Sequence, residues 1–362
     1  MNNFSISLKN EMVLCYIGFI GFMKKHVFIF GAGASKDEGL PIQEELLYSY
    51  FTSQQNDQFR EIIAKYFRDF FNLDINHVNK AHIPTFEEAL GIIEAAIDNE
   101  QSFGPIYSRR YLHQLRTALI MAMGIAIEHC SRNANNTHER LMHALFSNGE
   151  FHPDEYGFIS FNYDLLLDKA LMNILENDIY VDYGISFANE TISKPPFEHW
   201  ETPGEQRIRF LKPHGSFNWM HCPTCNSMYI TGVKESRIFS TGYLHNVEHC
   251  LKDQTELSYV MHPPSLYFKT HRNIYLQLIW KHTYDLLAQA DQVYFIGYAL
   301  KDADVWMKYV LKKSQVQKPK EFIVVNPQPA NQLQQNFARL LGDVQYLSRD
   351  FSGFVDHITE YV

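Results

Sequence analysis

The segment His26–Ser35 constrains the fold of this chain more than any other part of its sequence. It begins with the apolar, strand-forming run His26–Phe30 and passes directly into a turn of glycines and alanines, and a helical pattern follows from Glu44. Small residues in such a turn let a phosphate approach the backbone, and the following helix N-terminus supplies N–H groups and a positive dipole. The segment therefore predicts a nucleotide-binding unit, although the same residues would suit a tight strand-to-helix turn without a ligand.

Two common nucleotide-binding motifs do not fit this turn. The dehydrogenase fingerprint needs a third glycine and an acidic residue after a second strand, about 20 positions further on. Lys36 occupies the place of that glycine, and the stretch Phe51–Gln54 contains no acidic residue and follows no strand pattern. A phosphate-binding Walker loop is excluded because no Gly-Lys-Ser/Thr sequence follows. Hydride transfer is therefore disfavoured.

Composition narrows the class of protein further. The 362 residues are 46% hydrophobic and 14% aromatic, which is enough for one large core or two unequal ones. The net charge of −9 argues against binding nucleic acid directly through bulk electrostatics. Five unevenly spaced cysteines do not resemble a disulfide framework. We therefore expect a cytoplasmic protein that does not bind membranes.

The first 22 residues contain an apolar run, Met12–Phe22, that resembles a signal peptide. This run is shorter than the ~20 residues that span a bilayer, and no small-residue cleavage site follows it before His26. Because Met23-Lys24-Lys25 directly precedes the strand, we expect translation to start at Met23. Residues 1–22 would then be a start-site artefact; the alternative is a short apolar helix that packs on the core.

Helical and strand patterns alternate along the rest of the chain. Apolar residues recur at helical spacing between Glu44 and Cys130, and strands alternate with helices after Ile274. This order predicts an α/β fold with a doubly wound, Rossmann-like parallel sheet. We expect a catalytic domain over residues 23–362, with a helical insert at about 44–131 and a small irregular module at about 180–265.

Two further motifs carry polar side chains suited to catalysis. Asn162 and Asp164 follow the predicted strand Gly157–Phe161, so they should face the same crevice as the glycine turn. Asn162 can hold a ribose hydroxyl, an amide or a water, whereas Asp164 can accept from hydroxyls or cap the next helix. His214 lies between a proline and a glycine, where an imidazole can act as a general base or as a hydrogen-bonded structural residue.

Taken in order, these motifs resemble the sirtuin family and its bacterial sirtuin-like relatives. The turn Gly31–Ser35 with Gly39-Leu40-Pro41 matches the family's Gly-Ala-Gly-x-Ser and Gly-Ile-Pro loop. Asn162 and Asp164 match its Asn-x-Asp motif, and His214 matches its catalytic His-Gly. Further on, Gly297-Tyr298-Ala299-Leu300 stands at its second glycine turn, and Asn326 follows the next strand. The resemblance covers residues 27–326.

The resemblance implies an enzyme that consumes NAD⁺ by cleaving the bond between nicotinamide and ribose. It assigns catalysis to Asn162 and His214. It assigns contacts with NAD⁺ to Gly31, Ala32, Gly33, Ser35, Asp37, Pro41, Asp164, Gly297, Tyr298 and Asn326.

The chain departs from the protein deacylases of that family at two places. Pro41 is followed by Ile42-Gln43-Glu44 instead of Asp-Phe-Arg, and Tyr259–Pro264 replaces a Phe-Gly-Glu stretch. No groove for a peptide is evident, so water becomes the acceptor and the products are ADP-ribose and nicotinamide. The pattern is similar to bacterial anti-phage NADases, which implies a homo-oligomer or a partner defence subunit of Argonaute-, helicase- or sensor-like type. Two alternatives are a sensor of NAD or ADP-ribose without turnover, and a protein deacylase or ADP-ribosyltransferase.

A structural zinc site is a separate hypothesis. Cys222 and Cys225 form one C-x-x-C knuckle, and the zinc modules of the family follow such a knuckle with a second pair. Cys250 and His245 can complete a tetrahedral site with them. The alternative is a degenerate knuckle that binds no metal.

Overall fold

The computed structural model describes the chain over residues 24–53, 57–131, 134–146, 152–175, 179–195, 197–200, 206–232, 248–262, 273–302, 304–328 and 332–362. The predicted N-terminal extension, residues 1–22, and the predicted zinc ligand His245 lie outside these residues. The described strands are, in chain order, β1 (His26–Phe30), β2 (Tyr156–Ser160), β3 (Tyr180–Asp182), β4 (Arg207–Leu211), β5 (Gly215–His221), β6 (Met228–Ile230), β7 (Ser258–Met261), β8 (Gln292–Ile296), β9 (Glu321–Val325) and β10 (Gln345–Leu347).

Seven of these strands form one parallel sheet in the order β10-β9-β8-β1-β2-β4-β3. The central strand β1 is buried at all five positions, His26 through Phe30, because elements cover both faces of the sheet. A strand buried on both faces needs an apolar side chain at nearly every position, which explains the unbroken run in the sequence. The predicted doubly wound parallel sheet is confirmed.

The described α-helices are α1 (Ala32–Asp37), α2 (Gln43–Thr52), α3 (Arg60–Phe71), α4 (Phe86–Asp98), α5 (Arg109–Ser131), α6 (Thr137–Phe146), α7 (Leu166–Ile174), α8 (Ile274–Gln289), α9 (Val305–Gln317), α10 (Gln332–Leu341) and α11 (Phe351–Val355). Among them, none is both long enough and apolar enough to cross a membrane. The short helix α1 starts inside the glycine turn itself, whereas the sequence predicted helix only from Glu44. Its six residues include Gly33 and three alanines or serines, too few apolar side chains to show a helical period.

Helices α2 to α5 lie in the region for which the sequence predicted a helical insert, and they have a core of their own. Buried aromatic and aliphatic side chains such as Tyr66 and Leu119 fill it. At the start of α4, Thr85 Oγ1 accepts from the backbone N–H of Glu88 at 3.1 Å and caps the helix. Tyr163, Phe217 and Met261 of the main fold belong to the same core. The insert therefore packs directly against the segments that carry the candidate catalytic residues.

The region predicted as irregular contains two kinds of strand. β3 and β4 join the edge of the main sheet, whereas β5, β6 and β7 form a separate antiparallel sheet in the order β6-β5-β7. The small sheet begins at Gly215, directly after the turn that carries His214. A cluster of buried residues, including Cys222 and Cys250, fills the far end of this sheet.

Candidate active site

A cavity of about 580 Å³ lies at the carboxyl ends of the central strands. The order of the sheet reverses at β1, because β2 lies on one side of it and β8 on the other. Ligands of open α/β sheets bind in the crevice at such a reversal. The cavity is lined by most of the residues that the sequence predicted, namely Gly31, Ala32, Gly33, Asp37, Asn162, His214, Gly297, Tyr298 and Asn326.

Glycines at this cavity allow two turns to touch. The N–H of Gly31 donates to Ile296 O at 3.0 Å, and the N–H of Gly33 donates to Gly297 O at 2.9 Å. A Cβ atom on Gly33 would lie 2.7 Å from Gly297 Cα, and one on Gly297 would lie 2.2 Å from the nitrogen of Ala34. Gly297 also has a φ of +58°. These glycines are therefore required by the contact between the turns after β1 and β8, in addition to any role with a phosphate.

The side chain of Asn162 is oriented by two hydrogen bonds. Its Nδ2 donates to Gly31 O at 2.9 Å and to Ser35 Oγ at 2.8 Å. Because a backbone carbonyl only accepts, the amide nitrogen must face Gly31. This leaves Oδ1 of Asn162 as the atom available to accept from a ligand hydroxyl, amide or water.

Ser35 and Asp164 lie behind Asn162 and do not line the cavity. Ser35 Oγ donates to Asp164 Oδ2 at 2.7 Å, and the other carboxylate oxygen accepts from the backbone N–H of Leu166 at 3.1 Å. Both side chains are buried. They hold the side chain of Asn162 in place without contacting the cavity themselves. Pro41, a further predicted contact, does not line the cavity either, whereas its neighbour Ile42 does.

His214 lies in a tight turn between β4 and β5. The N–H of Gly215 donates to Lys212 O at 3.0 Å, and Gly215 has a φ of +85°. A Cβ at Gly215 would lie 2.0 Å from Val260 O, so only glycine lets the turn pack on β7. The carbonyl of His214 in turn accepts from the N–H of His262 at 2.9 Å. The position of the imidazole is therefore set by backbone contacts on both sides.

Aromatic rings enclose the imidazole. The ring of Phe161 meets that of His214 edge-on with centroids 4.8 Å apart, and the rings of Tyr163 and Trp280 each lie at 6.4 Å. Only 6% of His214 is exposed, and its Nδ1 has no hydrogen-bond partner among the described residues. A buried polar atom without a partner needs an explanation in a folded protein, and His214 is also one of the residues that line the cavity.

The same burial changes the acidity of His214. Burial, together with the charge of nearby His262, lowers the pKa of His214 from 6.5 to about 3, although a hydrogen bond with the backbone of Phe161 opposes the shift. The imidazole is therefore neutral at physiological pH, so one of its ring nitrogens can accept a hydrogen bond.

Several lining residues have no counterpart among the sequence predictions. They include Ile42, Glu44, Phe161, Lys301, Asp304 and Asp350. Lys301 Nζ lies 4.0 Å from a carboxylate oxygen of Glu44. Burial raises the pKa of Asp304, although Tyr298 donates to its carboxylate at 2.8 Å and opposes the shift. Phe161 directly follows β2 and Asp350 lies three residues after β10, so position at the end of a strand is the sequence signal that could have found these two.

A second cluster lies in the small sheet and has donors suited to a metal. One donor atom from each of Cys222, Cys225, Cys250 and Asp253 lies within 4.8 Å of the others. The sulfurs of Cys225 and Cys250 are 3.5 Å apart, and Cys222 Sγ lies 3.5 Å from the Asp253 carboxylate. Zn²⁺ bound tetrahedrally at 2.3 Å from sulfur needs ligand separations of about 3.8 Å, so these side chains fit the ion.

The donors come from two turns of the same design. Cys222 and Cys225 belong to one turn, and Cys250 and Asp253 have the same three-residue spacing in the other. In each turn the first cysteine accepts at its carbonyl from the N–H four residues later, at 3.0 Å from Asn226 and 2.9 Å from Gln254. The second knuckle is thus C-x-x-D, with Asp253 as the fourth described donor. The repeated spacing is visible in the sequence, but a pattern of cysteine and histidine ligands alone does not include Asp253.

No protein-family model and no curated protein matches this chain. Among solved structures, the chain is similar to a crystal structure of Sir2 in complex with the inhibitor EX-527, 2'-O-acetyl-ADP-ribose and a deacetylated p53 peptide. The match has 13% sequence identity and a TM-score of 0.40, and it covers 96% of this chain and 97% of that one.

Proposed function

We propose that this protein is an NAD⁺ glycohydrolase that cleaves the nicotinamide–ribose bond and releases nicotinamide and ADP-ribose. The main support is that Asn162 Oδ1 and the unpartnered His214 Nδ1 belong to two side chains of one cavity, at the reversal of a parallel sheet. The order of motifs that resembles sirtuins and sirtuin-like NADases supports NAD⁺ as the ligand.

The chemistry follows from the charge that develops on the substrate. As nicotinamide leaves, C1′ of the ribose gains oxocarbenium character, and a water molecule adds there. Asn162 Oδ1 orients that water or the nicotinamide amide, and neutral His214 accepts a hydrogen bond from the water or from a ribose hydroxyl as that group loses its proton to solvent. One NAD⁺ and one water thus give nicotinamide, ADP-ribose and one proton.

Enclosure of His214 favours water as the acceptor over an acyl-lysine peptide. Phe161, Tyr163 and Trp280 surround the imidazole, and Tyr163 Oη donates to His262 O at 2.8 Å behind it. Within the described residues, Tyr163 separates the imidazole from the insert, because its ring faces His214 and also belongs to the core of the insert.

The proposed biological role is depletion of NAD⁺ during anti-phage defence, by a cytoplasmic enzyme restrained in healthy cells. This role rests on the motif resemblance, together with the expected homo-oligomer or partner subunit. The insert offers a surface for such control, because its core includes Tyr163 and Met261 beside the catalytic turns. The second candidate is a sensor that binds NAD⁺ or ADP-ribose without turnover; the buried networks that orient Asn162 would serve binding as well.

Nicotinamide release from NAD⁺ by the purified protein tests the proposal. We expect release by the wild type and loss of at least about 100-fold in Asn162→Ala and in His214→Ala. Matched controls are Asn173→Ala on α7 and His77→Ala on the insert, which change the same residue types at exposed positions and should keep full activity.

The alternatives give different results. Binding of NAD⁺ by calorimetry without nicotinamide release, even with the neighbouring gene product present, would contradict the hydrolase and favour the sensor. Release that requires an acetylated peptide would favour a deacylase instead.

A further inference from the structure

A buried lysine connects the two turns that carry the candidate catalytic residues. Lys212 directly follows β4 and lies two residues before His214. Its Nζ donates to Asp164 O at 2.8 Å and to Asp168 Oδ2 at 2.9 Å. The ammonium thus reaches from the turn of His214 to the turn after β2, which contains Asn162.

The ion pair is completely withdrawn from water. The side chains of Lys212 and Asp168 are 0% and 1% exposed, and Tyr183 Oη donates to the second carboxylate oxygen of Asp168 at 2.7 Å. Desolvating two charges costs about as much as their attraction returns, so such a pair is a weak source of stability. Its geometry, in contrast, is restrictive, because every partner of the ammonium lies at a defined point.

The network continues from the lysine to Asn162. Lys212 holds the carbonyl of Asp164, the carboxylate of Asp164 accepts from Ser35, and Ser35 Oγ accepts from Asn162 Nδ2 at 2.8 Å. A chain of direct hydrogen bonds therefore joins the turn of His214 to the amide that faces the ligand. Catalysis by two groups is sensitive to their separation, and a shift of about 1 Å can cost about 100-fold in rate.

We propose that Lys212 is a positioning residue that sets the separation of Asn162 and His214 by bonding the Asp164 carbonyl, with Asp168 and Tyr183 holding its ammonium in place. The inference rests on the proposed function for its catalytic readout. The structural part of the inference, the relative position of the two segments after β2 and β4, can also be measured when no NAD⁺ is hydrolysed.

The test compares Lys212→Met/Asp168→Asn with the wild type. This double variant removes both buried charges, so no unpaired ion is left in the core. We expect kcat for nicotinamide release to fall by at least about 30-fold while KM changes by less than about threefold, because the residues that contact NAD⁺ remain. Tyr183→Phe, which deletes only a hydroxyl, should lower kcat by about three- to tenfold in a folded protein. The control Lys281→Met, which removes an exposed lysine 2.7 Å from Asp285, should leave both constants unchanged.

Unchanged kcat in both Lys212→Met/Asp168→Asn and Tyr183→Phe, or losses confined to KM, would overturn the positioning role. If the wild type releases no nicotinamide, the proposed hydrolase fails, and hydrogen–deuterium exchange then decides the question of position. Faster exchange at residues 161–166 and 212–216 in the variants, but not in Lys281→Met, supports the role of Lys212. Equal exchange in all of them contradicts it.

Discussion

Asp164 Oδ2 accepts a 2.7 Å hydrogen bond from Ser35 Oγ across 129 residues of sequence. This bond joins the turn after β1 to the turn after β2, directly beneath Asn162. Two motifs that the sequence presents as separate are therefore parts of one hydrogen-bonded unit, and the glycine turn contributes the side chain of Ser35 as well as its backbone to the candidate site.

Replacing Ser35 by alanine should reduce activity without removing any group that lines the cavity. Ser35→Ala deletes the donor to Asp164 and the acceptor of Asn162 Nδ2, so the amide gains freedom to rotate. We expect kcat for nicotinamide release to fall by about 10- to 100-fold. Ser131→Ala, which deletes a hydroxyl that only bonds Glu128 O in its own helix, is the control. Equal rates in the two variants would show that Ser35 does not orient the amide.

Gly297→Ala should destabilise the chain by disrupting the contact between the turns after β1 and β8. The added Cβ would lie 2.2 Å from the Ala34 nitrogen at a φ of +58°, so backbone atoms must move. We expect a loss of at least about 3 kcal/mol in the free energy of unfolding. Gly91→Ala is the matched control, because its Cβ would meet nothing within 4 Å inside helix α4. That change should stabilise the chain by up to about 1 kcal/mol, and denaturant unfolding distinguishes the two outcomes.

The buried His214 should make stability depend on pH in a defined window. Its pKa is about 3 in the folded chain and 6.5 when exposed, so the unfolded chain binds a proton between these values that the folded chain does not. Stability is therefore lost as pH falls below 6.5. Relative to His214→Phe, which keeps a ring in the aromatic surroundings, the wild type should lose about 2–3 kcal/mol between pH 6.5 and 4.5. Parallel pH profiles of the two proteins would contradict the assigned burial.

The cluster of Cys222, Cys225, Cys250 and Asp253 should bind about one zinc ion per chain. Cys250→Ser should lose the metal and lower the melting temperature, because the ligand joins the two knuckles. Asp253→Cys replaces the carboxylate with a fourth thiolate and should retain the metal. Metal analysis of the purified proteins checks both, with Cys130→Ser on α5 as the control. Full zinc content in Cys250→Ser would place the ion elsewhere.

Local sequence patterns predicted the central sheet because a strand that is buried on both faces consists mostly of apolar residues. β1, β2, β8 and β9 are short apolar runs bounded by polar turns, and the expected helices between residues 44 and 130 appear as α2 to α5. The short helices α1 and α11 were not predicted, because segments of six and five residues contain too few helical turns to show a periodic spacing of apolar residues. The sheet β6-β5-β7 was not predicted either. Its strands pair across intervening loops, and the sequence of a single strand does not show which other strand it pairs with.

In the candidate site, too, some features were predictable from the sequence and others were not. The sequence alone determined which side chains are candidates for the site, since Asn162, His214 and the glycine turn stand at strand ends, where side chains of a parallel sheet converge. Only the tertiary structure decided how they are held. The bonds of Lys212 to Asp164 and of Ser35 to Asp164, the aromatic enclosure of His214 and the approach of the Cys250–Asp253 turn to the Cys222–Cys225 turn all join residues distant in sequence. Such contacts depend on the path of the whole chain, because buried polar groups take whichever partners the packing brings within reach.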